Sequence, residues 1–481
     1  MNPRPVKQPS VILSLTPILV LVGLLFFTIR LFGSDALSGG SQIVLLVSTA
    51  ICSLIALIHC HVEWKSIEKA ITGNIASVAT ALLILLLIGA LSGSWMISGV
   101  VPTLIYYGMQ LIHPSVYLVS TCVICAIVSV ITGSSWTTIA TIGIALLGIG
   151  QAQGFHEGWI AGAIISGAYF GDKVSPLSDT TVLASSVSDT PIFTHIRYLM
   201  ITTIPSITLT LMIFLVAGLM HNASLAEQSA GYAASLKDTF HLSPWLLVVP
   251  LVTGILIAKR TPALITLFLA AVMAGIFALI FQPHLLDAIA GDASGGLTAK
   301  FKGLLITFYG STHTETGNPE LNELVSTRGM EGMMNTVWLI LCAMSFGGAM
   351  VASGMLHRII SVFVRFMKRT TGMVASTVVS GLFFNITTAD QYISIMLTGS
   401  MFKDIYRDKG YESRLLSRTT EDAVTVTSPL IPWNTCGMTQ STILGISTFT
   451  YLPYCFFNLI SPLMSIAVAA LGYKIYHRSE K

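Results

Sequence analysis

Five acidic residues lie within or beside apolar stretches of this 481-residue chain: Asp172, Asp179, Asp390, Glu421 and Asp422. An ionisable group at such a position costs roughly 2–3 kcal/mol or more to bury, so it normally has a task. Asp179 stands in SPLSDTT with Ser175, Ser178, Thr180 and Thr181 around it, and Asp390 in NITTADQY with Asn385, Thr387, Thr388 and Gln391. A third polar run, EDAVTVTSPLIPWNTCG, carries Asp422, Ser428, Asn434 and Thr435. Carboxylates, hydroxyls and carbonyls are hard oxygen ligands suited to Na⁺, as they suit Mg²⁺ and Ca²⁺. A carboxylate held in low dielectric also holds a proton more tightly, so one acid can serve Na⁺ and H⁺ in competition.

Blander roles compete with that chemistry. Asp172 precedes Lys173, which predicts an interfacial ion pair as readily as a ligand. Glu421 and Asp422 follow a basic loop, so one of them is expected to pair with Arg414 or Arg418, with Asp422 favoured as the functional member. Asp390 and Asp179 could cap the helices that follow them, although a serine would do so without burying charge. Pro176, Pro429 and Pro432 read as helix breakers, Trp136 and Trp433 as packing residues, and His59 and His61 as residues of a helix end near Glu63.

The elements that must position these residues are apolar helices. The chain is 53% hydrophobic and only 10% charged, against about 25% charged in soluble domains, and its mean hydropathy is +0.78. Apolar runs recur from Val11–Phe32 to 450–474, many near the ~20 residues that cross a bilayer. The first reads as a retained membrane helix, not a cleaved leader. A net charge of +3, with basic residues clustered between apolar runs, argues topology and not nucleic-acid binding. The seven cysteines lie mostly in apolar runs; Cys122 and Cys125 form a CxxC inside one, which reads as packing. No P-loop is present, so nothing points to ATP-driven pumping, and no cofactor is expected.

The runs repeat. WMISGVVPTLI (95–105) resembles MVASGMLHRII (350–360) at an offset of 255, and Ser175-Pro176-Leu177 matches Ser428-Pro429-Leu430 at 253. At 253, ITGSSWTT (131–138) also falls on FNITTADQ (384–391). Basic clusters occur at Arg4/Lys7, Lys65/Lys69, Lys259/Arg260, Arg358/Arg365/Lys368/Arg369, Lys403/Arg407/Lys409/Arg414/Arg418 and Lys474/Arg478/Lys481. Their counterparts are bare: residues 100–114 match 355–369, and 150–157 match 403–410, yet contain no lysine or arginine. Conversely, Arg197 follows the first broken segment, while 446–452 is neutral.

Since lysine and arginine mark the cytoplasmic side, the halves are expected to be inverted. Each would make seven crossings, counting a broken segment as one, with both termini cytoplasmic. The expected fold is therefore an all-α polytopic membrane protein. It has an N-terminal repeat over 1–220, a connecting loop over 221–243, and a C-terminal repeat over 244–481 with an extracytoplasmic insertion at 283–333. The polar, proline-containing stretches 171–190 and 418–447 would be unwound at mid-membrane. Unwound backbone is tolerated there only inside protein or beside water, and such breaks mark the substrate sites of secondary transporters. A membrane channel or an intramembrane aspartyl protease fits the paired breaks and the wealth of hydroxyls poorly.

GDKVSPLSDTT followed by FTHIRY, NITTADQY, and EDAVTVTSPLIPWNTCG together resemble the NhaC-type Na⁺/H⁺ antiporter family over nearly the whole chain. The resemblance implies a member of the wider ion-transporter superfamily in the bacterial cytoplasmic (inner) membrane, with broken or re-entrant helices and an elevator-like movement. It implies exchange of Na⁺ for H⁺. The family also includes malate/lactate antiporter-like and amino-acid carrier-like members, so the alternative is a Na⁺- or H⁺-coupled carrier of a small carboxylate or amino acid. A homodimer is compatible with either. The candidate cation and proton ligands are Asp179, Asp390, Asp422, Asp172, Ser175, Thr180, Thr387, Ser428, Asn434 and Thr435, with Asp179 and Asp390 favoured for Na⁺. An organic anion calls for a buried arginine or a half-helix N-terminus. Arg30 is the one arginine read inside an apolar span, which favours a cation-only site.

Overall fold

A computed structural model describes residues 8–32, 39–220, 226–259, 261–291, 296–317, 321–322, 325–363 and 369–477. Both termini, and Arg4, Lys7, Arg260, Arg365, Lys368, Arg478 and Lys481 among the topology-marking cations, lie outside the described residues.

The helices that matter for the site are α1 (Val11–Phe32), α2 (Gly40–Ile58), α3 (Ala79–Ile97), α4 (Tyr117–Thr132), α5 (Ser135–Ala152), α6 (Glu157–Val174), α7 (Asp179–Val187) and α8 (Ile192–Met220), then α9 (Ala263–Phe281), α10 (Gly329–Ala352), α11 (Thr370–Thr388), α12 (Gln391–Asp408), α13 (Ser413–Thr420), α14 (Thr435–Leu444) and α15 (Phe456–Ala470). Among the described residues, eight helices are long and apolar enough to cross a membrane, or up to ten if two bent pairs each count as one. That is fewer than the fourteen crossings expected, because α7, α13 and α14 are short and α12 is charged. Apolar side chains such as Leu19, Phe26, Phe27, Leu219 and Ile280 are exposed, as lipid-facing surfaces require.

The expected loops are partly helical. Residues 226–239 and 283–290 form helices, and so do 297–309. Leu236, Leu286, Leu304 and Thr307 turn inward from them. A one-sided apolar face within a polar segment is enough to dock a short helix.

Two breaks of the same kind interrupt the core. α4 ends at Gly133 and α11 at Ala389, both in the left-handed conformation, φ +66° and +57°. Ser134 and Asp390 then cap α5 and α12 through their side chains. Left-handed backbone recurs at Gly99 and Gly354, at Gly154 and Gly410, and at Asp189 and Gly445. The offset is 255 for the first of these pairs and 256 for the others, including Gly133 and Ala389. Ser178, which caps α7, and Asn434, which caps α14, are likewise 256 apart. The Ser-Pro-Leu match at 253 lies three residues from this spacing. At 256, Pro176 falls on Pro432, the proline two residues before Asn434 as Pro176 is two before Ser178.

Small residues let α6 pack tightly. A Cβ at Gly167 would lie 2.1 Å from the Cys122 carbonyl oxygen, and one at Gly171 2.3 Å from that of Ala126. Ser129 donates to the Ala168 carbonyl across the same contact at 2.6 Å. Gly-mediated approach of this sort is how helices associate where no hydrophobic effect separates protein from lipid. Gly167→Leu is therefore expected to abolish the monodisperse detergent-solubilised species in size exclusion. Gly73→Ala, at a helical position with nothing within 4 Å, is expected to leave its thermal midpoint within a few degrees of wild type.

Candidate functional site

The two breaks meet at a cavity of about 840 Å³. Gly133, Ser134 and Trp136 line it from the first break, Ser178, Asp179 and Thr180 from the start of α7, and Asp390 and Thr435 from the second half. Asp172 reaches it from the last turn of α6. Residues more than 200 apart in sequence thus present three carboxylates to one space.

Each acid is held differently. Asp390 is buried; Oδ1 accepts from the Ile393 amide at 2.9 Å and Oδ2 from the Thr435 hydroxyl at 3.0 Å. It is therefore both a helix cap and a cavity wall. Asp172 is buried, and its Oδ2 accepts from the amide and hydroxyl of Ser135, at 3.1 and 2.6 Å. It ties the end of α6 to the start of α5. Asp179 is exposed on the cavity side, and Ser178, not Asp179, caps α7. The Ser178 and Thr180 hydroxyls lie 2.9 Å apart.

Of the ten residues singled out in the sequence, Asp172, Asp179, Thr180, Asp390 and Thr435 line the cavity. Ser175, Thr387 and Ser428 instead donate to the Val130, Phe383 and Thr425 carbonyls. Asn434 caps α14 by accepting from the Cys436 amide at 3.0 Å and donates to the Asn385 carbonyl at 3.1 Å. These four shape the unwound segments. Trp433 does the same by donating to the Ile386 carbonyl.

Asp422 lies apart. It does not pair with Arg414, which engages Glu412. It pairs instead with Lys173 and, as one of the two expected arginines, with Arg418, all three side chains being fully buried. The Lys173 ammonium also donates to Ser461 at 2.8 Å. Asp422 Oδ1 further accepts from Thr202 at 3.1 Å and Ser461 at 3.3 Å. The expected Asp172–Lys173 pair does not form, because successive helical residues point about 100° apart. Asp172 turns to the cavity and Lys173 away from it. Arg418, unread as a buried arginine because it follows a basic loop, is fully buried 3.9 Å from Asp422 Oδ2 and stacks over the Tyr198 ring at 4.7 Å. The premise that no arginine is buried among the helices therefore fails, although Arg418 is not among the residues lining the cavity.

The sequence reading gave Lys173 only as a partner of Asp172; the signal for another partner was helix phase, which turns consecutive residues to different sides. A buried pair loses more from removal of one partner than it contributes as a pair, about 3–5 kcal/mol. Lys173→Met is therefore expected to lower the thermal midpoint in detergent markedly. The double variant Lys173→Met/Asp422→Leu should recover part of that loss; no recovery would mean that the ion pair is not what the single change breaks.

The sequence profile of the Na⁺/H⁺ antiporter family matches residues 167–473. The Na⁺/H⁺ antiporter NhaC of Bacillus subtilis (strain 168) is 35% identical over 407 residues, 84% of this chain and 87% of that one. The malate-2H⁺/Na⁺-lactate antiporter of the same organism is 35% identical over 91% of this chain and 90% of its own. The arginine/ornithine antiporter ArcD of Halobacterium salinarum (strain ATCC 700922 / JCM 11081 / NRC-1) is 33% identical over 98% and 94%.

Proposed function

We propose that this chain, which belongs to the Na⁺/H⁺ antiporter family, exchanges Na⁺ for H⁺ across the bacterial cytoplasmic membrane by alternating access. The single observation that carries the reading is the convergence of two chain breaks, one from each half, on a cavity walled by three acids. Na⁺ binds there among Asp390, Asp179 and Asp172, with the Thr180 and Thr435 hydroxyls as further oxygen ligands. The remaining requirement, release to either side, is met by ligands drawn from separate segments that can part.

Two repeats, over 1–220 and 244–481, account for the left-handed residues that recur at 255 or 256. The uneven basic loops support opposite orientations of the two, with both termini cytoplasmic. An elevator-like displacement of the cavity-bearing helices would expose the site to each side in turn.

The test is transport by purified protein in proteoliposomes. Na⁺ should dissipate an imposed acid-inside pH gradient, and absence of any response over pH values around neutrality would remove the antiport reading. Asp390→Asn should lower the rate at least about tenfold with the fold retained, since asparagine caps a helix as well as aspartate does. Full activity in that variant would take Asp390 out of the ion site.

A second reading draws on the cavity's size, about 840 Å³, which exceeds what a bare cation fills, and on the helix N-termini around it, which suit a carboxylate. In that reading the cavity also takes a small carboxylate or amino acid. Malate, lactate, arginine and ornithine are the solutes to screen, each with and without Na⁺. If the site takes cations alone, none raises the thermal midpoint beyond Na⁺ itself; a Na⁺-dependent rise with one of them would favour the second reading.

A further inference from the structure

Next to the paired Asp422 stands an acid with no partner at all. Glu421 is fully buried, and neither of its carboxylate oxygens accepts a hydrogen bond. It opens a five-residue π-helical turn, Glu421–Thr425, every residue of which is buried. Such wide turns place extra groups inward and recur at functional positions. Glu421 is not among the residues lining the cavity.

The charges acting on Glu421 come from Lys173 and Asp172 of α6 and from its neighbour Asp422. Arg418 lies one turn back on its own helix, stacked on Tyr198. α8 adds the buried His195, whose Nδ1 lies 2.9 Å from the Ser417 hydroxyl. α11 and α15 contain no ionisable residue, α7 only Asp179, and the charged residues of α12 are confined to its exposed last turns. Of the neutral groups, the Thr425 hydroxyl faces Glu421 without completing a hydrogen bond.

We propose that Glu421 is the group that carries the exchanged proton, at a position separate from the Na⁺ cavity. An ionised carboxylate with no donor costs several kcal/mol in a buried site, whereas its protonated form is tolerated. The arrangement seen here therefore suits the protonated state. Asp422, by contrast, is already engaged by the Lys173 ammonium and by the Thr202 and Ser461 hydroxyls.

The link to the cavity is α6 itself. Asp172 faces the cavity and Lys173, the next residue, faces the acid pair. Negative charge on Asp172 acts on Glu421; a Na⁺ ion seated against Asp172 cancels it. The Glu421 O–H bond then breaks, the proton passes to water, and the electron pair stays on the carboxylate, where Lys173 is the neighbouring cation. One Na⁺ in for one H⁺ out leaves the net charge of the buried set unchanged. Unpartnered hydroxyls of Thr420, Ser380 and Ser465 on the surrounding helices offer polar contacts along the way.

The proposal rests on the antiport reading, and the experiment separates the two. Purified wild-type protein in weak buffer should release protons, reported by a pH indicator dye, when Na⁺ is added, and should move ²²Na⁺ in both Na⁺/H⁺ antiport and Na⁺/Na⁺ exchange. In Glu421→Gln, proton release and pH-driven antiport should fall at least tenfold, while Na⁺/Na⁺ exchange and Na⁺-dependent thermal stabilisation stay within about twofold. Antiport and proton release at wild-type levels would overturn the assignment, and so would equal loss of Na⁺/Na⁺ exchange. A wild type inert to Na⁺ in every assay would instead overturn the antiport reading. Should Glu421→Gln fail to fold, Glu421→Asp keeps a titratable group at a displaced position. Its antiport should persist with the pH midpoint moved by half a unit or more, and an unmoved profile would overturn the assignment.

Discussion

The interior of this protein is organised around a desolvated ion pair, Lys173 with Asp422, with the buried Arg418 3.9 Å from the same carboxylate. Neither charge could be buried without the other. Each comes from a different half of the chain, Lys173 from the last turn of α6 and Asp422 from the π-helical turn after α13. Thr202 of α8 and Ser461 of α15 add hydrogen bonds to it, so four segments meet at one point. That fixation also sets the direction of Asp172. With Lys173 committed to Asp422, the preceding residue must face the other side of α6, where Ser135 and the cavity lie.

The cavity depends equally on what the backbone gives up. Where α4 and α11 stop, the chain turns through a left-handed residue and starts a new helix. Each new helix begins with unpaired amides, and those amides are answered by Ser134, Ser178, Asp390 and Asn434. The partial positive charge at a helix N-terminus stabilises nearby carboxylates. Three acids can therefore share a small space.

Much of this was legible in the sequence, and the failures have physical causes. Acids among hydroxyls at interrupted apolar runs located the cavity through Asp172, Asp179 and Asp390, because charge inside apolar sequence is costly enough to be informative. Ser-Pro-Leu recurs at 253, whereas the left-handed residues and caps recur at 255 or 256; those follow backbone need more than residue identity. Ala389 illustrates this, since an alanine takes the conformation that Gly133 takes in the other half. Partners across the fold were invisible. Lys173 read as interfacial beside Asp172, and Arg418 as part of a surface loop, because only tertiary packing decides which side of a helix meets protein. Ser175, Thr387, Ser428 and Asn434 had the right chemistry at the right breaks, yet none of the four lines the cavity.

The buried acids divide by their hydrogen bonds. Asp390 and Asp172 receive two donors each, and Asp422 receives an ammonium and two hydroxyls. Donors fix the direction of a carboxylate, and a carboxylate facing a cavity offers a metal cation the hard oxygen ligands it takes. Glu421 receives none. Separate positions for the two cargoes remove the need for a single carboxylate to discriminate between ions of very different size. What must then be supplied is coupling, and two consecutive residues of one rigid, glycine-packed helix supply it. Asp172 senses the cavity and Lys173 the acid pair, so occupancy on one side of α6 is felt as charge on the other.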